Sequence, residues 1–160
     1  MHSLILLKKY SLNYLSKYNT SKSNLERVLR NKIKRMNLEK KEKYILYNSI
    51  IPIINELESK KLVNDNDYAE SKIHNLSLQG KSKYFIINYL IQKGIKKYLI
   101  NEELDNYEST NPDWEIKSAK IFARKKKLGI KKNNNLENDL AKMARAGFNY
   151  NIIKNILEIY

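Results

Sequence analysis

One pattern occurs twice in this chain of 160 residues and constrains its fold more than any other feature. The pattern begins at Gln92 as QKGIKKYLINEEL and at Arg145 as RAGFNYNIIKNIL. Gly94 and Gly147 lie 53 residues apart, and apolar residues follow each glycine after one, six and ten positions. Glycine suits the left-handed conformation of a helix C-terminus because it has no Cβ. We therefore predict that each glycine ends one helix and that the apolar residues line the buried face of the next.

The spacing of apolar residues indicates helices along nearly the whole chain. Only four Gly and two Pro occur, and apolar residues recur at intervals of three and four, as they do on one face of a helix. A unit of about 45 residues buries little apolar surface alone, so repeated units have to pack on one another. The sequence predicts an all-α fold of three tandem three-helix units in an elongated, curved array. The predicted units span residues 1–63, with an insertion at about 35–45, then 64–108 and 109–160.

Short polar residues before apolar runs predict where helices begin. Ser23 and Glu26 have the spacing of a capping box, in which each side chain satisfies a backbone N–H of the other residue. Pro52 removes a backbone donor, so a helix is expected to begin or kink there. A later helix is expected to run to about Leu128, where residues 129–135 break it. The other predicted N-terminal caps are Asn64 or Asp65, Ser82, and Asn111 followed by Pro112 at the first helical position.

The net charge and the absence of cysteine limit the kinds of partner and the cellular compartment that we expect. Lys and Arg number 31 against 17 Asp and Glu, which gives a net charge of +14. This excess predicts attraction to nucleic acid, anionic lipid or acidic protein surfaces, although heavy use of Lys, Asn, Ile and Tyr also fits an AT-rich genome. The absence of Cys excludes disulfides, thiol catalysis and Cys-based zinc sites. We expect a soluble cytoplasmic protein, since no signal peptide or membrane-length apolar run occurs.

Residues that carry catalysis are scarce. His2 and His74 are the only histidines, and no P-loop, GxGxxG motif or Ser–His–Asp order is present. The acidic residues cluster near predicted helix ends, which favours capping and a solvated face over a Mg²⁺ site. These acidic clusters are Glu102, Glu103 and Asp105, and Asp65 with Asp67. The sequence therefore predicts a protein that is not an enzyme and that uses no cofactor and no metal.

Basic residues recur at helical spacing in two segments. One set lies in the predicted second helix, where several members share one side, and the other forms a stripe at positions i, i+3, i+7 and i+10 of a later helix. One such stripe fits a solvated face, whereas two with few carboxylates nearby favour contact with a polyanion or an acidic partner. The candidate residues for contact with DNA or a partner are Arg27, Arg30, Lys34, Arg35, Lys117, Lys120, Arg124 and Lys127.

Aromatic and polar residues leave two further alternatives open. Tyrosine rings can stack on bases, but they also fit the edge of a core with their hydroxyls in water. These tyrosines are Tyr84, Tyr89, Tyr98 and Tyr107. A three-helix unit also resembles a helix-turn-helix domain, whose last helix reads bases. Because Glu102 and Glu103 on such a helix would repel phosphate, we favour nonspecific charge contacts.

Four segments, in order along the chain, carry a family resemblance. They are YLSKYNTSKSNLERVLRNKIKR from Tyr14, LVNDNDYAES from Leu62, LQGKSKYFIINYLIQKGI from Leu78 and LAKMARAGFNYNIIKNIL from Leu140. Together they resemble the RecX family of regulators of the RecA recombinase, and the first segment resembles the alphaproteobacterial branch. The chain departs from the family pattern at Lys83, where Pro is usual, and at Ala146, where Arg or Lys is usual.

The resemblance implies a non-enzymatic, monomeric regulator that binds RecA filaments on single-stranded DNA. It implies that the protein mainly inhibits ATPase, recombinase and coprotease activity, in homologous recombination, DNA repair and the SOS response. The residues alone leave an alternative open, namely a basic helical protein that binds DNA or RNA without sequence specificity.

Overall fold

A computed structural model describes residues 1–129 and 135–158. This part of the chain contains nine α-helices and no strand, which confirms the all-α prediction. Residues 130–134, within the predicted break after Leu128, lie outside the described residues. The helices are α1 (His2–Leu15), α2 (Lys22–Arg35), α3 (Lys40–Ser59), α4 (Asp65–Leu78), α5 (Lys83–Gln92), α6 (Lys97–Thr110), α7 (Trp114–Lys126), α8 (Leu136–Arg145) and α9 (Tyr150–Leu157).

The helices form two compact units. The first comprises Met1–Tyr68 with Lys93–Ile95, and the second comprises Ala69–Gln92 with Lys96–Tyr160. Apolar residues at helical spacing fill both cores, as the periodicity predicts. Fully buried examples are Leu7, Leu25, Leu29, Ile33 and Ile50 in the first unit, and Ile73, Ile86, Leu90, Ile100 and Met143 in the second. The division into three tandem units and their curved array stay predictions.

The N-terminal caps agree with the sequence at two helices and differ at a third. Ser82 Oγ accepts a hydrogen bond from the Phe85 N–H at 3.1 Å, and Asn64 Oδ1 accepts one from the Asp67 N–H at 3.1 Å. The predicted capping box at Ser23 is wrong. Ser21 caps α2 instead, since its Oγ accepts from the Asn24 N–H at 3.2 Å.

Two helices also begin elsewhere than at the starts that the sequence offers at Pro52 and Asn111. α3 begins at Lys40 and runs through Pro52, which lies on the exposed side where water can solvate the carbonyl that loses its donor. α7 begins at Trp114, with Asp113 rather than Asn111 at its N-terminal boundary. The indole of Trp114 is buried, with only 3% of its surface exposed, so packing rather than capping sets this helix start.

A repeated set of hydrogen bonds explains why the glycine pattern occurs twice. Besides capping a helix, Ser21 and Ser82 each donate their Oγ–H to the carbonyl of the residue before a glycine. Ser21 donates to Lys93 and Ser82 donates to Ala146, both at 2.7 Å. The following Gly94 and Gly147 have φ of 77° and 92°, which confirms the predicted left-handed conformation at helix C-termini.

The lysine after each serine extends the same arrangement. The backbone N–H of Lys22 donates to Asp65 Oδ1 at 2.9 Å, and that of Lys83 donates to Glu115 Oε1 at 3.0 Å. The Nζ atoms of the two lysines pair with Glu58 and Glu108, each at 2.7 Å. Burial raises the pKa of Glu115, although the hydrogen bond from Lys83 opposes this. We name the two sets the first joint (Ser21, Lys22, Glu58, Asp65, Lys93, Gly94) and the second joint (Ser82, Lys83, Glu108, Glu115, Ala146, Gly147).

Candidate nucleic-acid interface

The basic face of α7 carries three of the predicted residues. Lys117, Lys120 and Arg124 lie within an arc of about 60° around the helix axis, given 3.6 residues per turn. All three side chains are exposed. Ser118, Ala119 and Ala123 are buried on other sides of the helix, where their small side chains permit close packing. We name Lys117, Lys120, Arg124 and Lys127 the α7 basic set.

Lys127 departs from the predicted continuous helical stripe. α7 ends at Lys126, and Lys127 takes the left-handed conformation with φ 55°. The chain turns away from the helical path there, so Lys127 is an exposed residue beyond the helix end rather than its last member. The cations of the last turn also interact favourably with the helix dipole, which is a structural role beside any role in binding.

The α7 basic set has no carboxylate partner within the described residues. Glu115, on the first turn of α7, accepts a hydrogen bond from the Lys83 N–H at the second joint. The neighbouring Lys125 donates to the carbonyl of Gln79 at 3.1 Å. Unpaired exposed cations on one helix face attract phosphate at low cost, because no salt bridge has to break first.

Two basic residues of α2, unlike those of the α7 basic set, interact with neighbouring side chains. Arg27, Arg30 and Lys34 also lie within an arc of about 60°, whereas Arg35 lies at least about 80° further round. Arg30 pairs with Glu26 at 2.8 Å, and its guanidinium lies 6.0 Å from the centre of the Tyr47 ring. The guanidinium of Arg27 donates to Asn24 Oδ1 at 2.7 Å. All four predicted residues are exposed. Because Glu26 offsets the charge of Arg30, this face has a weaker positive potential than the α7 basic set.

Two other lysines share one carboxylate partner. Lys8 on α1 and Lys60 after α3 both contact the Glu56 carboxylate at 2.7 Å. Hydrogen bonds from Lys60 and Lys8, with their charges, lower the pKa of Glu56 to about 2. These lysines are satisfied within the first compact unit, so net charge alone overstates the cations available to a polyanion.

The predicted tyrosines Tyr84, Tyr98 and Tyr107 differ in their surroundings, and Tyr89 is half-buried. The Tyr107 hydroxyl is hydrogen-bonded to Ser77 Oγ at 2.8 Å, and its ring meets Trp114 edge-on at 5.8 Å and His74 at 6.1 Å. Tyr107 therefore belongs to the edge of the core. Tyr84 and Tyr98 are 67% and 65% exposed and present their rings to solvent.

An amphipathic cavity of about 220 Å³ lies beside the second joint. The Phe85 and Tyr89 rings in its wall are nearly parallel, with centroids 6.4 Å apart and planes at 19°. Lys81 Nζ lies 4.5 Å from the Phe85 ring centre. We name this cavity the aromatic groove; it is lined by Tyr84, Phe85, Asn88, Tyr89, Gln92, Arg145 and Ala146. Sequence reasoning did not identify Phe85, Arg145 and Lys81, because only tertiary packing brings Arg145 beside the rings of α5.

The described residues form neither a metal-binding cluster nor a membrane-spanning helix. Within residues 1–129 and 135–158, no three His, Asp or Glu side chains are grouped so that they could hold a metal ion. Asp65, one of the predicted acidic residues, accepts the Lys22 N–H at the first joint. No helix in the described chain combines the length and apolar character needed to span a membrane.

Comparison with known proteins gives concordant results. The family model for the second three-helix domain of RecX matches residues 64–104. The regulatory protein RecX of Myxococcus xanthus (strain DK1622) is 31% identical over 159 residues, which cover 95% of this chain and 84% of that protein. The regulatory protein RecX of Clostridium botulinum (strain Eklund 17B / Type B) is 33% identical over 120 residues, which cover 69% of this chain and 52% of that protein.

Two crystal structures share the fold. RecX from Lactobacillus salivarius superposes with a TM-score of 0.71 at 24% identity, over 98% of this chain and 97% of the other. A second crystal structure, of a regulatory protein RecX, superposes with a TM-score of 0.72 at 20% identity, over 97% of this chain and 73% of the other. At these identities the structural similarity shows the fold alone.

Proposed function

Since this chain belongs to the RecX family of regulatory proteins, we propose that it binds RecA recombinase filaments on single-stranded DNA. We propose further that it modulates, and mainly inhibits, the ATPase, recombinase and coprotease activities of those filaments. The observation that carries this proposal is the 31% identity to a RecX regulatory protein over 95% of the chain. Assignment to the alphaproteobacterial branch stays a prediction.

The charge distribution supports contact with the DNA within a filament. Each Lys or Arg that neutralises a phosphate releases a condensed counterion, which favours binding. The α7 basic set offers exposed cations with no carboxylate partner in the described chain, and α2 offers Arg27, Lys34 and Arg35. Several modest contacts on one ligand add through effective concentration, so binding need not depend on one strong site.

The proposed inhibition is a shift between filament states. A ligand that binds one state of a filament more tightly than another draws the population towards that state. If the protein prefers a state that does not hydrolyse ATP, or a filament end, both the rate of hydrolysis and the amount of filament fall. The proposal requires no catalysis, cofactor or metal, and it places a monomeric protein in the cytoplasm with the recombinase.

The second candidate function is a basic protein that binds DNA or RNA without sequence specificity. It is favoured by one observation, the cations of the α7 basic set that have no carboxylate partner among the described residues and would attract any nucleic acid strand. The two functions differ in whether the recombinase itself contributes contacts.

Co-sedimentation at rising salt separates these functions. The protein is centrifuged with filaments of its cognate recombinase on single-stranded DNA and, in parallel, with the naked strand. Purely electrostatic binding falls steeply with salt on both ligands, with a slope of roughly 0.7 per phosphate contact on a logarithmic scale. We expect binding to filaments to persist at salt concentrations that abolish binding to the naked strand. Parallel loss on both ligands would support the second candidate function instead.

A further inference from the structure

The two joints share their hydrogen bonds but differ at the surface beside them. Counted from the capping serine, Tyr84 and Phe85 of the second joint correspond to Ser23 and Asn24 of the first. Both serines cap their helices and donate to a carbonyl at 2.7 Å regardless of this difference. The fold of a joint therefore does not require the aromatic rings. Both rings also lie at the surface, where Tyr84 is 67% and Phe85 38% exposed.

The aromatic rings are held in place rather than free. A Cβ at Gly147 would lie 2.9 Å from Tyr84 Cδ1, so the missing side chain is what admits the tyrosine ring. Phe85 is positioned by the nearly parallel Tyr89 ring, with centroids 6.4 Å apart, and by Lys81 Nζ at 4.5 Å, and it remains 38% exposed. Exposed aromatic rings that are already positioned lose little conformational freedom when they bind a ligand.

The polar groups of the aromatic groove narrow the class of ligand. Asn88 and Gln92 bring amides, and Arg145 brings a guanidinium, while no carboxylate is among the lining residues. Amides can bond the edge of a base, guanidinium and ammonium groups attract phosphate, and aromatic faces stack on any base. The cavity of about 220 Å³ is smaller than most drug-sized pockets, at roughly 300–1,000 Å³, and suits a single ring system.

We propose that the aromatic groove binds an unpaired nucleobase of single-stranded nucleic acid, stacked on the Tyr84 and Phe85 rings. Asn88 and Gln92 face the base edge, while Arg145 and Lys81 neutralise the adjoining phosphates. The inference rests on the proposed function for its choice of strand, and it adds a contact that depends on bases to the phosphate contacts of the α7 basic set. Aromatic-lined grooves also bind Pro-rich protein segments, so a protein partner is one of the outcomes that the test distinguishes.

The test compares strands that differ only in their bases. Fluorescence anisotropy measures binding of the full chain, without recombinase, to labelled oligothymidylate and to an abasic strand of equal length. The variant Tyr84→Ser/Phe85→Asn installs the residues that the first joint carries, so the joint should still fold. The control is Tyr44→Ser on α3, which removes a ring with the same 67% exposure outside the aromatic groove. Circular dichroism checks that all variants remain helical.

We expect the unaltered protein to bind oligothymidylate at least about 5-fold more tightly than the abasic strand, as one stacked base provides. Tyr84→Ser/Phe85→Asn should lose this preference while retaining its affinity for the abasic strand, and Tyr44→Ser should retain both. The proposal is overturned if the unaltered protein shows no preference, or if the double variant keeps it.

A third outcome would assign the aromatic groove to a protein partner. In that case the double variant would keep its preference for bases but lose binding to recombinase filaments, and the nucleobase proposal would be wrong. The recombinase ATPase rate tests the proposed function independently of base binding. A protein that prefers bases through the aromatic groove, yet leaves the recombinase ATPase unchanged, would retain this inference and lose the regulatory role.

Discussion

Reversing the charge of Lys117, Lys120, Arg124 and Lys127 to glutamate should weaken binding to single-stranded DNA by on the order of 100-fold at low salt. The side chains are exposed and have no carboxylate partner in the described chain, so α7 should stay helical, with a loss of about 0.3–1 kcal/mol where a cation of the last turn is replaced. Each replacement removes an attraction to phosphate and adds a repulsion. The dependence of affinity on salt should also become shallower, by about 0.7 per lost phosphate contact on a logarithmic scale.

A control with equal charge distinguishes a site from diffuse attraction. Four basic residues can also be replaced by glutamate in the first compact unit, at exposed positions without an ion pair in the described chain: Lys9, Lys17, Lys40 and Lys41. Anisotropy at low salt, where surface charges are least screened, should show a much smaller loss for this control. Equal losses in the two variants would mean that net charge, rather than the α7 basic set, carries binding.

Gly94→Val and Gly147→Val should each lower the free energy of unfolding by about 2–4 kcal/mol. Both residues have positive φ, which a β-branched residue strongly disfavours. A Cβ would also lie 2.4 Å from Ser23 Cβ at Gly94, and 2.7 Å from Ser82 Oγ at Gly147. These clashes would disturb each joint as well as strain the backbone. Urea unfolding followed by circular dichroism measures the change.

Gly129→Val separates these two causes. Gly129 has a similar φ of 73°, but among the described residues a Cβ there would meet only Leu157 Cδ2, at 3.4 Å. This variant should bear the backbone strain alone, about 1–2 kcal/mol. If all three valine variants lost the same stability, the close packing at the joints would not be contributing.

Local patterns in the sequence predict those parts of the fold that depend on neighbouring residues. Helical periodicity identifies the buried faces, and the need for positive φ identifies Gly94 and Gly147. The cap at Ser82 follows from its place before an apolar run. Such features depend on backbone geometry within a few residues, so the sequence displays them directly.

Features set by distant contacts could not be predicted in this way. Ser21 rather than Ser23 caps α2, and its second partner, the Lys93 carbonyl, lies 72 residues away. Burial of Trp114 fixes the start of α7 against the signal from Asn111. Pro52 is tolerated inside α3 because it lies on the exposed side, where water can solvate the carbonyl that loses its donor.

The candidate site shows the same division between local and distant determinants. Spacing alone predicts the common face of Lys117, Lys120 and Arg124, but not the turn that removes Lys127 from it. The aromatic groove combines α5 with Arg145 at the end of α8, and only the packing of the second joint brings them together.

The DNA-dependent ATPase rate of the cognate recombinase is the most direct test of filament regulation. Adding this protein at substoichiometric to equimolar amounts should lower that rate, because the filament population shifts towards the bound state. The inhibition should persist when excess single-stranded DNA is supplied. An unchanged ATPase rate at saturating protein would contradict filament regulation. Inhibition that disappears with excess strand would also contradict it, since the protein would then only compete with the recombinase for DNA.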